Sequence, residues 1–286
     1  MRQDTNAKFR NTLRAGFLIS TLFTGVSLLG VSVPATATVI FQDDFNSGTI
    51  TKKLNGVPFW INGSQDAPDT YATRPSDIFT QAEAEGGYSL RVLYVGTPNP
   101  LGDARPQLNF ELGATTYPEL WVSFRVYIPQ NYVHRVPSGT GNNKFFIIDN
   151  NIGSQYIDLE VWPRGDGSDR VSFNSSYNRV AQGHIFPSKD WTFGAPEDRG
   201  KWHNYVLHLK LSTSAGANNG VVQAWKNGAL VMDFQNLPHF TPAANYFGRG
   251  YIFGAANSGF VNDTELRLDD VTFATTPPLN GLRWVP

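Results

Sequence analysis

After residue 37, apolar and polar residues alternate in short runs broken by Gly, Pro, Asn and Asp, the two-residue period of half-buried β-strands. The clearest case is the segment 200–234, GKWHNYVLHLKLSTSAGANNGVVQAWKNGALVMDF. Two alternating runs flank a Ser/Ala/Gly/Asn loop, and the second run ends at Asn227-Gly228. That dipeptide readily takes the positive φ angles of a type I′ turn, so it closes a hairpin onto 229–234. The same alternation predicts strands over 39–45, 89–95, 106–112, 119–128, 144–149, 155–162, 170–174, 202–211, 221–225, 250–254 and 265–274. Helical periodicity is nearly absent after residue 37, and no repeat or low-complexity linker divides the chain. One all-β sandwich domain over 38–286 is therefore expected. The long loops 63–86, 129–143 and 178–199 are where such a domain builds the walls of a groove.

The first 37 residues follow a different rule. Lys8, Arg10 and Arg14 precede an apolar run over 15–33, and Ala35-Thr36-Ala37 supplies small residues for a signal peptidase. The run is long enough to span a bilayer, but the Ala-x-Ala site favours cleavage after Ala37. The expectation is a signal peptide over 1–37 and a secreted or periplasmic product, with no membrane segment after cleavage. The leader carries four basic residues and one acidic residue, so its loss takes the formal charge from −1 to −4. Nucleic acid and anionic membranes want a basic face and are not expected partners. An anionic polysaccharide would need a local basic cluster. The chain has no cysteine, which excludes thiolate catalysis and thiolate metal sites. A core of this size does without disulfides.

Splitting the strands by alternation gives polar faces of unusual composition. Arg105, Gln107, Asn109 and Glu111 share one face, Trp121, Ser123, Arg125 and Tyr127 another, and Tyr156, Asp158, Glu160 and Trp162 a third. Aromatic rings stack on sugar rings, while Arg, Gln, Asp and Glu bond hydroxyls and carboxylates. If the three strands share a sheet, these faces form the floor of a glycan groove; otherwise the aromatics lie under loops as a second small core. Asp158 and Glu160 stand roughly 6–7 Å apart along their strand, between the spacings of retaining and inverting glycosidases. Among the histidines, His203 and His208 fall on a strand, and His134, His184 and His239 on loops. His184, in Gln182-Gly183-His184-Ile185, is the loop candidate for proton transfer. No Gly-x-Ser-x-Gly elbow supports a serine triad, and no pair has convincing metal-ligand spacing.

The 200–234 segment resembles the signature segment of concanavalin A-like jelly rolls, found in polysaccharide lyases and laminin-G-like modules. That resemblance implies an antiparallel jelly-roll β-sandwich acting on carbohydrate without an organic cofactor. Arg105-Pro106-Gln107 resembles the Arg-x-Glu/Gln strand of alginate-lyase-like proteins, and Tyr246-Phe247-Gly248-Arg249-Gly250 resembles their Tyr-Phe-Lys-x-Gly strand. Gly248 replaces the family's Lys, Ile252 stands where its catalytic Tyr would fall, and 145–149 lacks its Gln-x-His. Asp158-Leu159-Glu160 is similar to the Glu-x-Asp-x-(x-)Glu strand of laminarinase-type hydrolases, with Tyr156 at the leading acid position. Asp43-Asp44 and Asp269-Asp270 lie on the first and last strands, which commonly pair in this fold. The resemblance implies a structural calcium there with Asp44 and Asp270 as ligands; the alternative is one Asp in a turn and one facing solvent.

These readings converge on a secreted polysaccharide-degrading enzyme, with β-elimination of a uronate-containing glycan ahead of hydrolysis. The resemblance implies that Arg105, helped by Gln107, neutralises the uronate carboxylate, and that Tyr156 or His184 moves the proton. Tyr177 and Tyr251 are alternative tyrosines. Asp158 and Glu160 would bind hydroxyls, or serve as the acid/base pair of a hydrolase. Asn109, Trp121, Arg125, Tyr127, Trp162 and Tyr246 would contact sugar. The competing class is a non-catalytic glycan-binding or adhesion module.

Overall fold

The chain divides into two units, Met1–Ala35 and Thr36–Pro286. The computed structural model describes residues 38–62, 78–82, 87–96, 98, 106–135, 143–152, 156–177, 180–188, 190–254, 256 and 259–277. The expected leader and Arg105 lie outside these residues.

In chain order the strands are β1 (Val39–Asp43), β2 (Lys53–Leu54), β3 (Val57–Pro58), β4 (Trp60–Asn62), β5 (Ile78–Ala82) and β6 (Tyr88–Tyr94). Then come β7 (Leu108–Glu111), β8 (Glu119–Ile128), β9 (Asn143–Asp149), β10 (Tyr156–Pro163), β11 (Asp169–Tyr177) and β12 (Val180–Ile185). The last are β13 (Thr192–Phe193), β14 (Lys201–Lys210), β15 (Gly220–Lys226), β16 (Ala229–Leu237), β17 (Arg249–Ile252) and β18 (Thr264–Ala274). Every strand expected from alternation is present. Six more go beyond that expectation: β2, β3 and β4 follow the first strand, β5 lies in the stretch 63–86 read as a loop, and β12 and β13 lie in 178–199, also read as a loop. There the alternation is broken by Gly183, at φ 77°, and by the short Thr192–Phe193 pairing.

Two antiparallel sheets face each other. The first has the order β16-β15-β14-β8-β18-β6-β5, with β1 also on β18; the second is β12-β11-β10-β9-β17-β7-β4, with β13 on β11. The β15–β16 hairpin turns at Asn227 and Gly228, with φ of 51° and 82°, as its dipeptide predicts. Between the sheets, Phe124 of β8 approaches Phe146 of β9 (6.4 Å between centroids), and Phe110 of β7 meets Phe273 of β18 (4.9 Å). Leu120, Val122, Val126, Ile157, Leu159 and Val161 fill the same interior. Each such side chain stabilises the fold by about 1.5–3 kcal/mol on burial.

This topology corrects the single-groove expectation. β8 belongs to the first sheet, whereas β7 and β10 belong to the second, so Trp121, Arg125 and Tyr127 face out from the opposite side to Asp158 and Glu160. Alternation separates inside from outside but is blind to which sheet a strand joins. On the first sheet Trp121 stacks on His208 at 4.1 Å, and Arg125 reaches Asp270 at 3.2 Å and Trp202 at 4.8 Å. Tyr127 packs on Trp202 at 5.6 Å.

β1 pairs with β18 as expected, yet the acidic doublets meet chain cations. Lys52 Nζ lies 3.1 Å from Asp43 Oδ1, 3.6 Å from Asp44 Oδ1 and 3.3 Å from the Gln42 carbonyl. Asp43 also accepts from Trp60 Nε1 (2.8 Å) and the Phe45 amide (3.0 Å), while Asp270 faces Arg125. Among the described residues no group of three or more His, Asp or Glu is placed to hold a metal. These side chains, as arranged, do not fit the expected calcium.

Candidate active site

The outward face of the second sheet is built from cross-strand rows. His184 of β12 stands opposite Asn174 of β11, Asn174 opposite Asp158 of β10, and Asp158 opposite Ile147 of β9. The row continues through Tyr251 of β17 and Asn109 of β7. One row along, Tyr156 lies opposite Asp149, and Asp149 opposite Arg249. On the other side, Glu160 lies opposite Ser172 and Lys144.

Lys144 reaches this face because the β9–β10 register slips between Leu159 and Glu160. Phe145 and Phe146 are both buried, so the alternation of β9 breaks and Lys144 shares the outward side with Ile147. An unbroken two-residue period would place it on the core side, which is why sequence reasoning missed it.

Lys144 is the counter-charge for two buried carboxylates. Its Nζ lies 3.2 Å from Asp158 Oδ2 and in direct contact with Glu160 Oε1, and His184 Nδ1 is 2.8 Å from Glu160 Oε2. Glu160 is fully buried and Asp158 is 2% exposed; only close pairing offsets the cost of such burial. Asp158 Oδ1 is buried without a hydrogen bond. Burial pushes the Asp158 carboxyl up to about 7, with Lys144 opposing. The shift favours the neutral carboxylic acid, which can donate as well as accept.

His184 is held below the usual histidine range, first by burial and then by the Lys144 ammonium, so it is neutral near pH 7. With Nδ1 in ion-pair range of Glu160, Nε2 is the ring nitrogen that this carboxylate does not engage, and in the neutral ring it can serve as a base. Trp162 stands edge-on to His184 at 4.7 Å and donates from Nε1 to Ser172 Oγ at 2.8 Å. The Tyr156 phenol is raised by burial and by Asp158, and Asn174 hydrogen-bonds it in the opposite sense.

Tyr156, Asp158, Glu160, Trp162, His184 and Asn109 thus share one face, and His184 sits on an edge strand rather than a loop. Gln107, just before β7, donates to Asn109 Oδ1 at 2.6 Å. Tyr246 stands ahead of β17, off these rows. Ile252 is buried in the core, whereas Tyr251 takes the outward position between Ile147 and Asn109. Tyr177 packs against the buried His239 at 5.3 Å. The other histidines have structural partners: His134 with Asp169, His203 with the Asp198 carbonyl, His208 with Glu119 and His239 with Ser175.

A sequence model of a polysaccharide lyase family matches residues 46–254. No match is found among curated proteins. Among solved structures, the chain resembles endo-β-1,4-glucuronan lyase from the fungus Trichoderma reesei (17% identity, 84% of this chain and 96% of that one, TM-score 0.55). It also resembles the alginate lyase Aly36B (14% identity, 75% and 95%, TM-score 0.51) and the β-glucanase of Bacillus licheniformis (14% identity, 83% and 98%, TM-score 0.51). At these identities the likeness establishes the fold, the jelly-roll sandwich.

Proposed function

The chain belongs to the polysaccharide lyase family, and on that premise we propose that it cleaves a uronate-containing glycan by β-elimination with His184 as the base. The observation that carries the reading is a neutral imidazole braced by a buried carboxylate beside an aromatic wall, with its Nε2 left for substrate. In the proposed step Nε2 removes the proton α to the uronate carboxylate. The C–H electron pair forms the new C=C bond as the bond to the leaving glycosidic oxygen breaks. That oxygen takes a proton from Tyr156, so atoms and charge balance. Arg105 and Gln107 retain the neutralising role assigned to them from sequence, and Asn174 and the protonated form of Asp158 add donors from the same face.

Support for a uronate comes from the names of two structural neighbours, a glucuronan lyase and an alginate lyase. Against hydrolysis, Glu160 is fully buried and tied to both Lys144 and His184, a poor position for attack on an anomeric carbon. The basic and apolar pattern over 1–37, with its Ala-x-Ala site, supports export, which would bring the enzyme to an extracellular polymer; N-terminal sequencing of the secreted form tests cleavage after Ala37. For the chemistry, the protein is incubated with glucuronan, alginate and neutral glucans while ultraviolet absorbance and reducing ends are followed together. Both signals rise in step on a polyuronate if the proposal holds. Reducing ends without absorbance would make it a hydrolase, and silence on a broad panel would leave a binding module.

A further inference from the structure

Two guanidinium groups on the outward face of the second sheet keep their terminal nitrogens clear of carboxylates. Arg249 is exposed, and its ion pair engages Nε alone, at 3.1 and 3.3 Å from the Asp149 oxygens. Arg170 is exposed, lies 3.5 Å over the Phe186 ring, and makes no ion pair among the described residues. In each case a neighbour fixes the side chain while the planar fork of donors stays available, the geometry that suits a carboxylate.

The register places them at opposite corners of the site. Arg249 lies in the row of Tyr156, and Arg170 directly opposite Trp162. Tyr156 and Trp162 are separated by about 20 Å along β10, and β17 and β11 by about 14 Å across three strand spacings. The two arginines therefore stand about 25 Å apart on a diagonal. Its midpoint falls between β9 and β10, at Lys144, Asp158 and Glu160. That centre holds two carboxylates to one ammonium, so it does not by itself attract an acidic chain; the flanking guanidiniums supply the attraction.

We propose that the substrate lies along this diagonal, with Arg249 and Arg170 each binding a uronate carboxylate on opposite sides of the bond that is cut. The site then selects a polyuronate, acidic on both flanks, over a glycan whose lone uronate sits among neutral sugars. This selectivity rests on the uronate-lyase reading.

The test measures affinity for glucuronan on the turnover-impaired His184→Ala protein, with Arg249→Ala, Arg170→Ala and both together, at low and moderate salt. Each single change is expected to weaken binding about tenfold. The double change should flatten the salt dependence, and Arg→Lys at either site should recover part of the loss. With the wild-type base, each arginine change should raise KM and leave kcat within about threefold. A trisaccharide, too short to span the diagonal, should respond to at most one of the two changes, whereas an octasaccharide should respond to both. Unchanged affinity in the variants, or equal weakening toward a carboxyl-reduced polymer, would overturn the proposal. If the wild type releases no unsaturated product while the arginine variants still lose affinity, the lyase reading fails and the diagonal stands. If unsaturated product forms and no variant loses affinity, the diagonal fails and the lyase reading stands.

Discussion

The outer faces of the two sheets carry nearly the same residue types and differ in how those residues are balanced. On the first sheet, charges pair at the surface: Arg125 with Asp270 at 3.2 Å, Arg91 with Glu265 at 2.5 Å, and His208 with Glu119 at 2.8 Å. Its aromatics pack on their neighbours, Trp121 on His208 and Tyr127 on Trp202. On the second sheet two carboxylates are buried with one ammonium, three of their four oxygens make no hydrogen bond, and both Asp158 and His184 are shifted toward their neutral forms. The first arrangement consumes its own polarity, and the second leaves a base, a donor and two cations facing outward. Composition does not separate the two faces. Burial without full compensation does, because that is what moves protons into the range where chemistry runs.

The sharpest way to break the comparison is to remove the base. His184→Ala should lower kcat by about 10²–10⁴-fold with the fold intact, since the side chain is partly exposed. Activity of the wild type should rise with pH as His184 loses its proton, with the midpoint below 6.5 because its pKa is lowered. Glu160→Gln should move that limb, which a change acting only through packing would not do.

Asp158 separates the faces on stability. Its carboxyl is raised to about 7 in the fold against about 3.9 in the unfolded chain, so the folded state favours the protonated form. That contribution is whole below pH 4 and is lost as pH rises through 7. Asp158→Asn cannot ionise, so it should match the wild type in urea melts near pH 3.5. At pH 8 it should be more stable, by on the order of 3 kcal/mol.

The aromatic residues give a smaller contrast. Trp162→Ala should raise KM about tenfold, while Trp121→Ala should leave KM and kcat alone and destabilise by about 1–2 kcal/mol through lost stacking. Equal effects on KM would erase the distinction between the faces. The smallest expected effect is that of calcium: with Lys52 and Arg125 against the acidic doublets, chelator should leave the melting temperature unchanged.

The strands were legible because the two-residue period is local: β8 and the β15–β16 turn follow directly from alternation and from Asn227-Gly228. The site was legible in part. Tyr156, Asp158, Glu160 and Trp162 share a face because they share one unbroken strand, β10. Lys144 was hidden by the slip in β9, and the placement of Trp121, Arg125 and Tyr127 by strand order, a non-local property. His184 stood out as a candidate, but its strand did not, because Gly183 interrupts the pattern beside it. Tyr251 is the outward tyrosine of β17 because Ile252 fills the core.

The most direct measurement is the production of unsaturated uronate from glucuronan by His184→Ala, with and without added imidazole. The account predicts a rate reduced at least a hundredfold, partly restored by the small base, with no recovery when imidazole is given to Glu160→Gln. Unsaturated product formed by His184→Ala at the wild-type rate would contradict it.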